Sequence, residues 1–345
     1  MVAFVLFVAV AQVFLAVDIS LPPAEDAAML MRYAQHLADG HGIVWNVGGP
    51  PIDGATDFLF MSAIAGVVKA GVPLEIATRA FVFIAHIVTV GIVFLAVRMI
   101  MGAPMVMAVA SCVYLIFGPA SAYASTYFGA PVFAMTAAAA WLCALAIVRG
   151  DTQGWLPAAF SLCSLVTGLV RPEGAILATL MLAAIAASIG WKRARSTVVW
   201  FIGVFATLGL AYFLWRWNYF GHPLPNPFYK KGGGALHLAG LKDSIYNTLK
   251  FTLPLLPLYV IGLAHRDTRR NTIAVAIPII GFACSFVLIS SETNFAGRFQ
   301  YAILPMALMA WPIAMERMMA RVRETVTPRQ RMLAACALVY ALAAI

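Results

Sequence analysis

Residues 24–57 read AEDAAMLMRYAQHLADGHGIVWNVGGPPIDGATD and are followed at 58–70 by FLFMSAIAGVVKA. The first stretch is a polar interruption between the first two long apolar segments. After Pro22 and Pro23, the carboxylates of Glu25 and Asp26 fall in the first turn of a short helix, where free amides and the helix dipole favour negative charge. That helix is expected to stop at Asp39 and Gly40, and Gly42, Gly48, Gly49, Pro50, Pro51 and Gly54 then mark irregular backbone. The second stretch decides the topology. As a helix it covers only about 20 Å, against a hydrocarbon core of about 30 Å.

Of 345 residues, 63% are hydrophobic and 11% charged, with a mean hydropathy of +0.90. A water-soluble domain needs far more polar surface. The chain therefore reads as an all-α, polytopic membrane protein, one transmembrane domain over residues 1–345. About eleven spans are expected, at 1–17, 77–97, 104–118, 130–148, 155–170, 174–190, 197–217, 251–264, 272–290, 299–315 and 332–345. Runs of this length exclude a barrel of short alternating strands. Residues 1–17 carry no basic leader and no small-residue cleavage site, so they read as an uncleaved first helix. The sequence stops inside the apolar run 332–345, which reads as a truncation in a last helix, with any external carboxy-terminal domain absent. No internal repeat or soluble domain is visible. Gly232, Gly233 and Gly234 lack the Lys-Ser/Thr and the strand of a phosphate loop and read as a loop tip.

A net charge of +9 would point to nucleic acid in a soluble protein. Here most basic residues lie in short connections between apolar runs, the positive-inside pattern, so the partner implied is the bilayer and not nucleic acid. If residues 58–70 do not cross, the connections 98–103, 149–154, 191–196, 265–271 and 316–331 share one side and hold 13 of the 23 basic residues. If they did cross, the cluster at 191–195 would change sides and break the rule. Residues 58–70 are therefore read as a re-entrant or interfacial helix, with the amino terminus cytoplasmic. The connections 18–76, 119–129, 171–173, 218–250 and 291–298 then open together on the outer face.

That face holds the residues able to do chemistry. The first loop carries Asp18, Glu25, Asp26, Asp39, Asp53 and Asp57 against a lone Arg32. Such an excess either binds a hard divalent cation through oxygen ligands, with Asp26 as its ligand, or supplies a general base to a hydroxyl; the residue types do not choose. Arg171-Pro172-Glu173-Gly174 is a charged corner, either a tight turn with Arg and Glu paired or a guanidinium offered to phosphate. In WRWNYFGHPLPNPFYKK (215–231), Trp215, Trp217 and Tyr219 read as an interfacial aromatic belt. Pro223, Pro225 and Pro227 stiffen a path that can aim His222, Asn226, Tyr229 and Lys230 at a ligand. Arg298, in Gly297-Arg298-Phe299-Gln300-Tyr301, is either a helix-end anchor or a second external arginine for an anionic lipid. His86 reads as a packed core residue, and no histidine spacing supports zinc. The five cysteines (Cys112, Cys143, Cys163, Cys284, Cys336) sit in apolar runs and support neither disulfides nor a metal site.

In this order the pieces resemble the GT-C superfamily of integral-membrane glycosyltransferases, most closely the subgroup of the mycobacterial terminal arabinofuranosyltransferase. That subgroup's Asp-Asp-Ala-Tyr, Arg-Tyr-Ala, Gly-x-Gly-x-Val-x-Asn and Glu-Gly-Tyr-Thr-Asn are matched by Glu25-Asp26-Ala27-Ala28, Arg32-Tyr33-Ala34, Gly40-His41-Gly42-Ile43-Val44-Trp45-Asn46 and Asp53-Gly54-Ala55-Thr56-Asp57. The Arg171 corner, the segment Gly221-His222-Pro223-Leu224-Pro225-Asn226-Pro227-Phe228-Tyr229-Lys230-Lys231 and Gly297-Arg298-Phe299 look like three further family motifs. The sequence departs from the pattern at Ala28 and Ala55, where aromatics are usual, and at Gly129, where relatives tend to carry an acid. Those departures imply a changed sugar pocket or reduced activity.

The resemblance implies transfer of a sugar from a polyprenyl-phosphate donor to a cell-envelope glycan, lipid or protein acceptor, on the external face of a bacterial-type plasma membrane. Loop 18–76 would be the catalytic loop, with Asp26 as base helped by Glu25. Arg171, Lys230, Arg298 and His222 would bind the donor phosphate. Tyr33, Asn46, Asp53, Asp57, Glu173, Asn226 and Tyr229 would bind sugar and acceptor. The residues fix no cofactor and do not decide whether a metal is needed; a divalent cation is the one candidate. Two other readings are a lipid-linked-sugar transporter or flippase and a catalytically degenerate assembly partner.

Overall fold

A computed structural model describes residues 1–325 and 327, other than 17, 19–21, 120, 125, 152, 231–234, 289–293 and 295–296. It is 78% helical, with no strand among the described residues. In chain order the helices are α1 (Val2–Ala16), α2 (Glu25–Ala38), α3 (Phe58–Lys69), α4 (Leu74–Leu95), α5 (Met105–Phe117), α6 (Ser121–Ala124), α7 (Ala130–Val148), α8 (Leu156–Val170), α9 (Gly174–Ile189), α10 (Trp191–Val204), α11 (Leu210–Phe220), α12 (Asn226–Lys230), α13 (Leu238–Thr252), α14 (Leu256–Ala264), α15 (Arg266–Ser285), α16 (Ile303–Ala314) and α17 (Glu316–Thr325). A wide turn continues α4 to Ile100, and another joins α10 to α11.

Five helical units are long and apolar enough to cross a membrane: Leu74–Ile100, Ala130–Val148, Trp191–Phe220, Leu238–Ala264 and Arg266–Leu288. With the shorter apolar helices, one stands at each of the first ten expected spans. The eleventh, 332–345, lies outside the described residues, as does Cys336. Two connections differ from expectation. The basic run at 191–196 is itself the first turn of α10, and α13 begins at Leu238 inside what reads as an outer loop at 218–250. Both are polar in composition but helical, because Lys, Arg, Leu and Ala are good helix formers wherever the chain continues into an apolar face. The apolar run after residue 57 becomes α3, twelve residues or about 18 Å long.

Packing centres on α16 and α7. Every residue of α16 is buried, and Ala137, Ala138, Ala140 and Ala144 of α7 have no exposed surface. Small residues let helix backbones approach where lipid supplies no hydrophobic drive. Aromatic polar tips find carbonyls inside this core: Trp141 donates to Met306 (3.1 Å) and Tyr259 to Ala307 (3.2 Å). Pro312 removes the amide that would bond the Leu308 carbonyl. The Ser111 hydroxyl lies 3.4 Å from that oxygen and accepts from Trp311 at 2.9 Å.

Where α14, α15 and α16 meet there is no spare volume. A Cβ on Gly262 would lie 2.6 Å from both the Ala314 Cβ and the Thr272 Oγ1. Gly262→Val is therefore expected to lower stability by about 1–3 kcal/mol, read as a lower midpoint of thermal unfolding in detergent. Gly203→Ala, with nothing within 4 Å of its Cβ, should leave the midpoint unchanged.

Candidate active site

The first loop is docked by its own polar groups. α2 buries Ala27, Leu30, Met31 and Ala34, a helical stripe, and carries Glu25 and Asp26 in its first turn. It ends as the sequence implies, with Gly40 at φ 83° and the His41 amide donating to the His36 carbonyl. Arg32 donates from Nε to the Trp45 carbonyl (2.9 Å) and from Nη2 to Asn46 (3.3 Å), and stands 4.5 Å above the Trp45 ring. His36 meets the Val44 carbonyl through Nδ1 at 2.9 Å. The Tyr219 hydroxyl accepts from the Ile43 amide at 3.1 Å. Tyr219 also stacks on Trp215 at 5.5 Å, so it is more than a member of an interfacial belt: it clamps the loop.

Three acids of this loop are paired with three arginines from distant parts of the chain. Asp26 pairs with Arg298, Asp53 with Arg216, and Asp57 lies 3.9 Å from Arg171. All three arginines are buried, at 7–8% exposure. Arg171 also turns its Nε and Nη2 onto one oxygen of Glu173, at 2.8 and 2.6 Å, so the corner is the Arg–Glu turn that its sequence allowed. Aromatic faces hold the guanidiniums in place. Arg171 stands 4.7 Å from the Phe299 ring and Arg298 4.1 Å from the Phe128 ring. Asp26, Asp57, Arg171, Glu173 and Arg298 thus form one cluster.

Tyr33, Asn46, Asp53 and Asn226 form a neighbouring group. Tyr33 is buried beside Asp53 and lies 5.8 Å from the Trp45 ring, and the Asn226 amide donates to the Asp53 carbonyl at 3.0 Å. This bond docks the proline-rich segment against the loop. The rest of that segment is less engaged: His222, Tyr229 and Lys230 are exposed, with His222 and Tyr229 rings 6.1 Å apart. Glu25 is exposed too, and Lys231 lies outside the described residues.

Burial pushes the Asp57 carboxyl up from its usual range; Arg171 opposes the shift, and Glu173 adds to it. Burial also raises Asp53 against the pull of Arg216, and raises Tyr33. Arg171 is held protonated: desolvation works against its charge, but Glu173 and Asp57 outweigh it. The residues do not fit a divalent-cation site as they stand. Among the described residues no three His, Cys, Asp or Glu side chains gather to hold a metal, and a guanidinium rather than an open face meets Asp26.

Several residues that the sequence did not single out are structural parts of the site. Arg216 holds Asp53. The turn bearing Arg298 is held by a buried polar network on α13. Asn294 donates to Asp243 (2.6 Å) and to Gln300 (2.8 Å) and accepts from the Phe299 amide (3.1 Å), while Gln300 donates to Ser244 (3.0 Å). Gly297 sits at φ 75°, and a Cβ there would lie 2.5 Å from Asn247 Oδ1. One signal was available: Asp243 is the only acid between Glu173 and Asp267.

Fold and site together define a multi-pass, all-helical membrane protein with a paired-charge cluster at one rim of its bundle. Its fold is that of ArnT from Cupriavidus metallidurans. The apo structure of that protein matches with a TM-score of 0.69 at 16% identity, and its structure bound to undecaprenyl phosphate with 0.67 at 15%. Each match covers 97% of this chain and 63% of the ArnT chain, so this chain spans less than two thirds of ArnT's length. No protein-family model and no curated protein matches the sequence.

The raised Asp57 carboxyl makes stability depend on pH. The folded state keeps this proton to higher pH than the unfolded chain, so between the usual value of 3.8 and the raised one the unfolded state binds fewer protons. Stability should therefore fall as pH rises through that window. Asp57→Asn should flatten this slope in unfolding midpoints measured against pH; an unchanged slope would refute the assignment to Asp57.

Proposed function

We propose that this chain is a GT-C-type glycosyltransferase that moves a sugar from a polyprenyl-phosphate carrier to an acceptor hydroxyl at the outer face of a bacterial-type plasma membrane. The observation that carries the reading is the fold shared with ArnT over 97% of the chain, one ArnT structure being bound to undecaprenyl phosphate. The rim cluster supports it, since it joins a base in reach of water to buried guanidiniums suited to phosphate. Residues 1–345 act as one transmembrane domain with loop 18–76 as its catalytic loop. The sequence motifs favour the arabinofuranosyltransferase-like subgroup and a cell-envelope acceptor.

In this mechanism Asp26, with Glu25 beside it, accepts the proton of the acceptor hydroxyl. The acceptor oxygen bonds to the anomeric carbon while the bond from that carbon to the phosphate oxygen breaks, and its electron pair leaves with the lipid phosphate. Arg298 receives the growing charge, Arg171 adds to the positive field from behind it, and Lys230 with His222 approaches from the exposed segment. Tyr33, Asn46, Asp53, Asp57, Glu173, Asn226 and Tyr229 line the sugar and acceptor side. The departures from the family pattern at Ala28 and Ala55 are where the sugar specificity of this chain is expected to differ.

Transfer is measured as release of polyprenyl phosphate from lipid-linked sugars incubated with the purified protein. A transporter or an inert assembly partner releases none. Asp26→Asn is expected to lower the rate by about 10² to 10⁴ while the protein folds normally. A folded Asp26→Asn protein transferring at the wild-type rate would sink the assignment of the base.

A further inference from the structure

The two rim arginines are not equivalent. Nε–H and Nη2–H of an arginine lie along one edge, the fork that takes a carboxylate or phosphate with two parallel bonds. Arg171 spends both donors of this edge on Glu173. Among the described residues Arg298 spends Nη2 on Asp26 Oδ2, and its buried Nε finds no hydrogen-bond partner. The Arg298 side chain is only 8% exposed, whereas that of Asp26 is 42% exposed. A buried N–H without a partner is costly, and the resident carboxylate leaves the fork half satisfied.

The fork faces the start of a fourteen-residue helix. Asp26 is the second residue of α2, and Ala24 supplies no side-chain cap to its first turn. Free amides and the dipole there favour an anion. The guanidinium cannot swing away to meet a ligand elsewhere. Phe128 and Phe299 lie against it, and the Asn294, Gln300 and Asp243 network fixes its turn. The partner free to move is Asp26, on the exposed side.

We propose that Asp26 is the stand-in anion of a phosphate site formed by Arg298 and the α2 amino terminus, and that the lipid phosphate enters by displacing it. This deepens the glycosyltransferase reading and rests on it. A phosphate offers two oxygens to the fork, satisfies Nε as well as Nη2, and pushes the carboxylate out toward water. Only then is Asp26 without a cationic partner and able to take the acceptor proton. Donor binding therefore precedes activation of the base. When the lipid phosphate departs and Asp26 gives its proton to water, the ion pair re-forms. The base is inactive until a donor is present.

The exchange makes Asp26 a competitor of the ligand, which a base alone is not. Affinity for undecaprenyl phosphate is measured on the purified full chain in detergent, with undecaprenol and inorganic phosphate as parallel probes. Wild type should bind undecaprenyl phosphate and not undecaprenol. Asp26→Asn should bind the lipid phosphate more tightly, on the order of tenfold, although it has lost transfer. Asp26→Ser provides the same comparison if the amide variant does not fold, and Arg298→Gln should abolish the gain. Unchanged or weaker binding by folded Asp26 variants, with wild type still binding, would overturn the exchange and leave the glycosyltransferase reading standing. Failure of wild type to bind undecaprenyl phosphate would overturn both. Tightening toward inorganic phosphate but not the lipid would overturn the lipid source.

Discussion

Arginine without water must be paired, and this requirement ties the molecule together at one rim. Arg171, Arg216 and Arg298 are buried at the ends of three different helical segments, and each meets an acid from one stretch, Asp57, Asp53 and Asp26. Moving a charge out of water costs several kcal/mol unless a partner compensates it. Beyond α2 the loop has only a Val44–Pro51 bridge and a few backbone turns of its own, so the three pairs do what a strand or long helix would otherwise do. They fix residues 25–57 against arginines 114 to 272 positions away in sequence. The further clamps, Tyr219 on Ile43 and Asn226 on Asp53, act on a path those pairs have already set.

The charges do not balance within the inner cluster. Asp26, Asp57 and Glu173 are three acids facing Arg171 and Arg298. Burial pushes the Asp57 carboxyl up from its usual range, with Arg171 opposing the shift and Glu173 adding to it. Of the three acids Asp26 is the most accessible, with 42% of its side chain exposed against 10% for Asp57 and Glu173. Two cavities of about 360 and 160 Å³, lined by Arg266, Arg269 and Arg270 and by His265, Arg317 and Arg321, lie elsewhere. Arg270 bonds the Ala187 carbonyl near the far end of α9, so these sites are separated from the rim by the length of that helix.

Much of this was legible in the residues themselves. Apolar runs of fixed length can form only helices in a bilayer, so the apolar helices α4, α5, α7, α8 and α9 follow from hydropathy alone. The α2 ends were marked by Glu25, Asp26 and Gly40, whose chemistry is local. What stayed hidden was which acid meets which arginine. Arg216 lies between two tryptophans in a segment that reads as an aromatic belt, and nothing nearby in sequence names Asp53 as its partner. Asp243, Ser244 and Asn247 were hidden for a related reason. They occupy one face of α13, a helix whose polar composition reads as loop, and their partners Asn294 and Gln300 arrive fifty residues later. Local chemistry is written in local sequence, but charge pairing across a bundle is not.

Gly129 shows how such pairing changes the meaning of a departure. The resemblance led to an acid at this position, and glycine there reads as a missing carboxylate. In the structure a Cβ on Gly129 would lie 2.2 Å from Asp57 Oδ2 and 2.9 Å from Phe60 Cδ1. No side chain fits, because a carboxylate from another segment already fills the space. Asp57 is held there by Arg171 behind it and by its place as the residue before α3. The twelve-residue α3 thus has a definite use, since its start brings Asp57 up against the turn at Gly129. An acid is present beside the buried arginines after all, and the glycine is the condition for its being there.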